Sequence, residues 1–161
     1  MRKALFVGLS AFLLFLVNGC GAGKSTLVDD YFIAVEGKTV SNKALNAFIF
    51  ENRNNELHFR NYMRARFGVT GEDFDVDVSV NGQPIRLLFY SKNDFDRYFE
   101  KYNFKYTGLV DDITADQMAA NHFVAISAVD AAGNDALDES HIIYQEMIAF
   151  LNDFKKQYLR L

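Results

Sequence analysis

The sequence predicts an α+β fold, a single small domain in which helices pack on a small antiparallel sheet, and three patterns lead to that class. In DFDVDVSV, Phe74, Val76, Val78 and Val80 alternate with Asp73, Asp75, Asp77 and Ser79, so an extended segment there has one apolar and one acidic face. Asn81-Gly82 follows at once and favours the positive backbone angles of a tight hairpin turn, after which PIRLLFYS returns as the partner strand. Pro84 stands near the start of that partner, where a missing donor is tolerated. Toward the C-terminus the period becomes helical, with Ile143, Met147, Phe150, Leu151, Phe154 and Tyr158 on one stripe.

The other elements follow in chain order. Thr26 is placed to cap a helix carrying Leu27, Tyr31, Ala34 and Val35 and stopped by Gly37; alternatively, YFIAV is a strand that turns at Glu36-Gly37. Ser41 opens a second helix in which Leu45, Phe48 and Ile49 share a face. That face weakens over Asn52 to Asn55 and resumes with Phe59, Tyr62, Met63 and Phe67 before Gly68, so two helices or one bent helix both fit. Ser91 with Asp94 predicts a capped helix bearing Phe95, Tyr98, Phe99 and Tyr102, and Thr114 with Gln117 a short one by the same logic. FVAISAV reads as a buried strand leading into the polar loop DAAGNDALDES. The final helix is expected from about Ser140, with Lys155, Lys156 and Arg160 at the end that favours cations.

The first 25 residues carry the functional argument. Arg2 and Lys3 form a positive start, Ala4 to Val17 contains no charge, and the small residue Gly19 precedes Cys20, the one cysteine of the chain. The uncharged run suits the apolar region of a secretory signal. It is short of the roughly 20 apolar residues of a membrane span and longer than a typical strand of about 5 or 6. Val17-Asn18-Gly19-Cys20 resembles the lipobox of bacterial lipoproteins, in which the bond before the cysteine is cut after the thiol is acylated. That resemblance implies lipidation of Cys20, a signal peptide over 1–19, a lipidated cysteine and tether over 20–25, and one periplasmic domain over 26–161. Gly21 is not the aspartate that retains many lipoproteins at the inner membrane, so an outer-membrane, periplasm-facing location is expected. Gly21 to Ser25 spans at most ~17 Å, which keeps the domain close to the bilayer.

Gly23-Lys24-Ser25 also matches the end of a phosphate-binding glycine loop, G-x-x-x-x-G-K-[ST]. The first glycine of that motif should fall at Asn18, and the nearest one, Gly19, leaves the spacing one short. The leader accounts for more of the same residues.

Removing 1–19 from the 161 residues leaves 142, the size of one domain, which needs no metal or disulfide staple. The leader takes two of the 17 basic residues and leaves 15 against 21 acidic ones. Such a balance disfavours nucleic acid as a partner. The 16 Phe and 8 Tyr, with no Trp, point to an aromatic core.

Candidate sites each have a plain structural alternative. Asp73, Asp75 and Asp77 open like a calcium loop, but the glycine and glutamate such a loop needs are Val78 and Pro84, so a solvated strand face is expected. Asp130, Asn134, Asp135, Asp138 and Glu139 surround Gly133 and are expected to be turn and capping residues, with weak calcium binding as the other reading. His58, His122 and His141 have no metal-ligand spacing, and there is no G-x-S-x-G elbow. Arg53, Arg60, Arg64 and Arg66, with His58, concentrate positive charge on one helical region, a candidate contact for a partner or for anionic head groups. No cofactor is expected.

IAVEGKTVSNKALNAF, Ile33 to Phe48, resembles the first segment of periplasmic chaperones of the SurA and PrsA type, in which a strand and a glycine turn lead to a capped helix. Glu36 departs from the Asn or Asp usual there, and no parvulin isomerase module follows. The expectation is a membrane-anchored binding, accessory or immunity-type protein acting without catalysis, tethered through Cys20 and engaging a protein partner in the envelope. A chaperone module and a nucleotide-binding enzyme are the alternatives.

Overall fold

The computed structural model describes residues 26–69, 75–107 and 122–160. Five strands form one fully antiparallel sheet in the order β2, β5, β9, β7, β6: β2 is Phe32–Ala34, β5 Ala47–Glu51, β6 Asp75–Val80, β7 Gln83–Phe89 and β9 Phe123–Asp130. Two short pairs flank it, β1 (Thr26–Leu27) parallel to β8 (Phe104–Lys105), and β3 (Thr39–Val40) antiparallel to β4 (Lys43–Ala44). Helices α1 (Glu56–Phe67), α2 (Lys92–Phe99) and α3 (Tyr144–Leu159), with a 3-10 turn over Glu100–Tyr102 after α2, complete the described elements. The α+β class and the single small domain expected from the sequence describe this arrangement.

The sheet is covered on both sides, and its strand sequences show why. Seven of the eight residues of β9 are buried, so it lacks the polar alternation of a half-exposed strand. Val124, Ile126 and Ala128 join Phe48 and Phe50 of β5 under α1 and α3, whereas Ala125 and Phe123 join Ile49 and Ala47 under α2 and β8. The larger cluster is filled by Met147, Leu151, Phe154 and Tyr158 of α3 and by Tyr62 and Met63 of α1. Phe95 and Phe99 of α2, with Phe104, fill the smaller one.

The hairpin forms as the pattern predicts. Asn81 and Gly82 take φ of 50° and 78°, and Val80 pairs with Gln83 directly across the turn. Val76 and Val80 are buried while Asp75, Asp77 and Ser79 face solvent; Phe74 and Asp73 lie outside the described residues. The cap at Ser91 is present, its hydroxyl accepting from the Asp94 N–H at 3.3 Å. Gly68 closes α1 at φ 69°, with its N–H on the Arg64 carbonyl. The helix proposed at Thr114 and Gln117 lies outside the described residues.

Two expectations are corrected. Residues 26–35 are not a helix; the alternative reading of YFIAV as a strand holds over Phe32–Ala34, and Glu36 supplies the turn at φ 64°. No helix opens at Ser41 either. Ser41 and Asn42 adopt φ of 49° and 63° and make the tight turn between β3 and β4, without the glycine that usually marks one. Leu45, Phe48 and Ile49 therefore do not share a helical face: Phe48 and Ile49 point to opposite sides of β5, each into its own cluster. A run buried on both faces has no period, and AFIF fits a strand as soon as layers exist on both sides.

The last helix starts at Tyr144, later than the expected Ser140. Residues 138–144 form tight turns first, with His141 N–H on the Asp138 carbonyl and Tyr144 N–H on the His141 carbonyl.

Candidate functional site

Two charged clefts lie on the surface. The first, of about 280 Å³, is bounded by Val28, Asp29 and Asp30 of the chain's first described segment, by Glu51 at the end of β5 and Arg53 just after it, and by the C-terminal end of α3. Lys155 sits at 4% exposure on the buried stripe of α3, and its ammonium donates to the carboxylate and the carbonyl of Asp30. A lysine so buried needs a partner, since an isolated buried charge is costly. The pair therefore fastens the N-terminal segment to the last helix. Glu51, also buried, is satisfied by Thr107, which donates its N–H and its hydroxyl at 2.8 Å each. Arg53, Lys156 and Arg160 stand exposed around the rim with no ion pair among the described residues.

The four arginine candidates are thus not one patch. Arg53 belongs to this cleft. Arg60 pairs with Glu56 one turn earlier on α1, and Arg64 is exposed on the same helix. Arg66 donates to the Tyr62 hydroxyl and to the Gln157 side-chain oxygen, and lies over the rings of Phe67 and Phe154 at 5.2 and 5.4 Å. Arg66 is a packing residue that covers the core with its planar head. Lys155, Lys156 and Arg160 were legible only as cations at a helix end; what brings them to Arg53 is the crossing of α3 past the end of β5.

The second cleft, of about 540 Å³, is acidic and contains Asp130, Asp135, Asp138, Ser140 and His141, with Lys43 at its edge. The sequence cluster is brought together here, but its carboxylates are engaged by their own loop. Asp130 accepts from the backbone N–H groups of Ala132 and Asn134 and from the Asn134 side chain, at 2.7 to 3.0 Å. Asp135 accepts from Asn46 N–H and Leu137 N–H, which joins the loop to the segment before β5. Asp138 accepts from the N–H and hydroxyl of Ser140. Among the described residues no group of three His, Cys, Asp or Glu is placed to hold a metal ion. Turn and capping roles are what this geometry supports for the cluster.

A histidine, a serine and carboxylates do share this cleft, yet not as a nucleophile and its base. His141 Nε2 is 3.3 Å from Asp130, its Nδ1 faces the Ile143 N–H at 3.4 Å, and the Ser140 hydroxyl donates to Asp138. His58 lies on α1 against Tyr158, and His122 stacks on Tyr106 at 4.1 Å. Asp77, from the acidic run Asp73, Asp75 and Asp77, pairs with Arg86 across the hairpin at 2.8 Å.

The environment of Asp130 yields a pH prediction. Burial acts to raise its carboxyl, but the bonds from Asn134, His141 and Ala132 outweigh it and hold the group at about 2, against an ordinary 3.8. A carboxyl depressed on folding stabilises the fold above its unfolded pKa, and that contribution is lost as pH falls through the folded value. Asp130→Asn should lower stability by on the order of 1–2 kcal/mol near neutral pH. In urea titrations, the gap between wild type and variant should shrink between pH 4 and pH 2; a gap independent of pH would show that the carboxylate charge does not organise the loop.

Cys20 and the tether lie outside the described residues. Their only structural context is that β1 begins at Thr26, beside β8 and next to the first cleft. No described helix is long and apolar enough to cross a membrane. Compared with protein families, with curated proteins and with solved structures, the chain finds no match.

Proposed function

We propose that the chain is an envelope lipoprotein, anchored to the outer membrane through acylated Cys20 and facing the periplasm, whose domain works by binding a protein partner without catalysis. The observation that carries this reading is the order of features at the start of the chain: a positive start, an uncharged run, and the one cysteine six residues before Thr26. A diacylglycerol together with an amide-linked chain makes such an anchor durable, since each buried methylene contributes about 0.8 kcal/mol. The start of the fold supports it too. A phosphate loop ending at Lys24-Ser25 would lead straight into a helix from a central strand. Thr26 and Leu27 instead form a two-residue strand outside the five-stranded sheet. Binding is favoured over the chaperone alternative because both clefts are lined mainly by charged and polar side chains, and unfolded substrates call for a broad apolar groove.

Globomycin, which blocks lipoprotein signal cleavage, supplies the test. Treated cells should accumulate the uncut precursor, untreated cells should yield a mature N-terminus at lipid-modified Cys20, and Cys20→Ala should abolish both the modification and the processing. A mature chain that retains Met1 and carries no acyl group would overturn the reading.

A further inference from the structure

We infer that the rim of the first cleft, formed by Arg53, Lys156 and Arg160, is a docking surface for the anionic phospholipid head groups of the membrane that holds the anchor. The inference rests on the lipoprotein reading and adds to it an orientation of the domain.

The first argument is reach. Val28 lines this cleft and lies eight residues after Cys20. At full extension those residues cover at most about 28 Å. An acylated Cys20 sits in the interface, so the cleft is tethered within that distance of the head groups whatever course the tether takes.

The second argument is charge. The full chain is acidic, at −4, yet cations gather here. Lys155 is neutralised by Asp30, whereas Thr107, which hydrogen-bonds Glu51, brings no charge to it. Arg53, Lys156 and Arg160 remain on the rim without ion pairs among the described residues, opposed by Asp29 and Glu51. Each cation close to an anionic leaflet favours the docked state about fivefold. Three of them against the two carboxylates of Asp29 and Glu51 leave one net cation, which favours docking on the order of fivefold, an effect that salt screens. Leu27, 58% exposed and adjacent to Val28, adds an apolar contact from the same segment. The lysine–aspartate pair fixes this segment against α3, so tether and cations approach the bilayer together.

The acylated chain, purified from cells and reconstituted into vesicles, tests this. Cys20 is blocked by lipid, so Asp153→Cys, on the exposed side of α3, provides a single thiol for a donor dye. Transfer to a head-group acceptor is compared between vesicles of phosphatidylcholine alone and vesicles that also contain phosphatidylglycerol. Transfer should rise with the anionic lipid, and the rise should vanish at high salt and in Arg53→Gln/Lys156→Gln/Arg160→Gln. Circular dichroism checks that the variant is folded, which its exposed positions favour. A protein that floats with both kinds of vesicle but shows the same transfer in each overturns the docking surface and leaves the anchor standing. A protein that carries no acyl group and floats with neither overturns both.

Discussion

Phe154→Ala should destabilise the domain by about 3–5 kcal/mol, the range for removing a large aromatic side chain from a closed core. Phe154 is fully buried on α3, and its ring meets those of Tyr62, Phe89 and Phe67 at centroid distances of 5.6, 5.9 and 6.3 Å. It joins α1, α3 and β7 at one point, so no single element can move in to fill the space it leaves. Arg66 also loses the surface over which its guanidinium lies. Small domains have roughly 5–15 kcal/mol in total, so the variant should lose a large share of its folded population at moderate urea. The control is Ile142→Ala. Ile142 is 89% exposed, whereas its neighbour Ile143 is 4% exposed, so this loss of an apolar side chain should stay within about 0.5 kcal/mol. Urea unfolding followed by circular dichroism measures both. A loss below about 1 kcal/mol for Phe154→Ala would mean that the helix–sheet packing is not as described.

Gly37→Ala is expected to cost about 3 kcal/mol or more, although it adds a single methyl group. A Cβ on Gly37 would lie 2.2 Å from the Tyr90 hydroxyl and 3.0 Å from the Leu45 carbonyl oxygen. The hydroxyl cannot simply turn away. It accepts from Lys38 N–H at 2.6 Å and meets the Ser127 hydroxyl at 2.8 Å, and Ser127 donates to the Asn46 carbonyl at 2.6 Å. Burial pushes this phenol up to about 12, so it stays neutral and takes part as donor and acceptor. Moving it would leave Lys38 N–H and fully buried Ser127 short of partners, at about 1 kcal/mol or more each, on top of about 1–3 kcal/mol for the overlap. Tyr90→Phe removes the oxygen and should cost about 1–2 kcal/mol on its own. In that background the nearest ring atom to the added Cβ is the 3.2 Å carbon, so Gly37→Ala should cost less than in wild type. The double variant should fall short of additivity by at least about 1 kcal/mol. Strict additivity would show that the Tyr90 hydroxyl is not what excludes the methyl group.

The elements that could be read in advance carry their own local instructions. Asn81-Gly82 needs no neighbour to favour its turn, Ser91 caps its own helix, and Gly68 ends α1 in the left-handed conformation. The α3 stripe is likewise visible because it is amphipathic. The segment 41–51 carries no local cue to its strand. Ser41-Asn42 turns without glycine, and Phe48 and Ile49 are buried on opposite faces of one strand. The arginines looked like one patch for a related reason, since adjacency along a helix hides which side chains lie over the core, as Arg66 does, and which face solvent.

Spacing within a few residues specifies the hairpin, the helix capped by Ser91, the buried strand 123–130 and the lipobox-like start. Tertiary structure alone decided that β2 and β5 are strands, that Lys155 is a buried partner of Asp30, and that Arg53 meets Lys156 and Arg160 across a cleft. These depend on contacts between segments from about a dozen to over one hundred residues apart, from the pairing of Ala34 with Ala47 to the 125 positions that separate Asp30 from Lys155. A buried charge or a two-faced strand is stable only when its partners arrive from elsewhere in the chain, and no local pattern records where those partners come from.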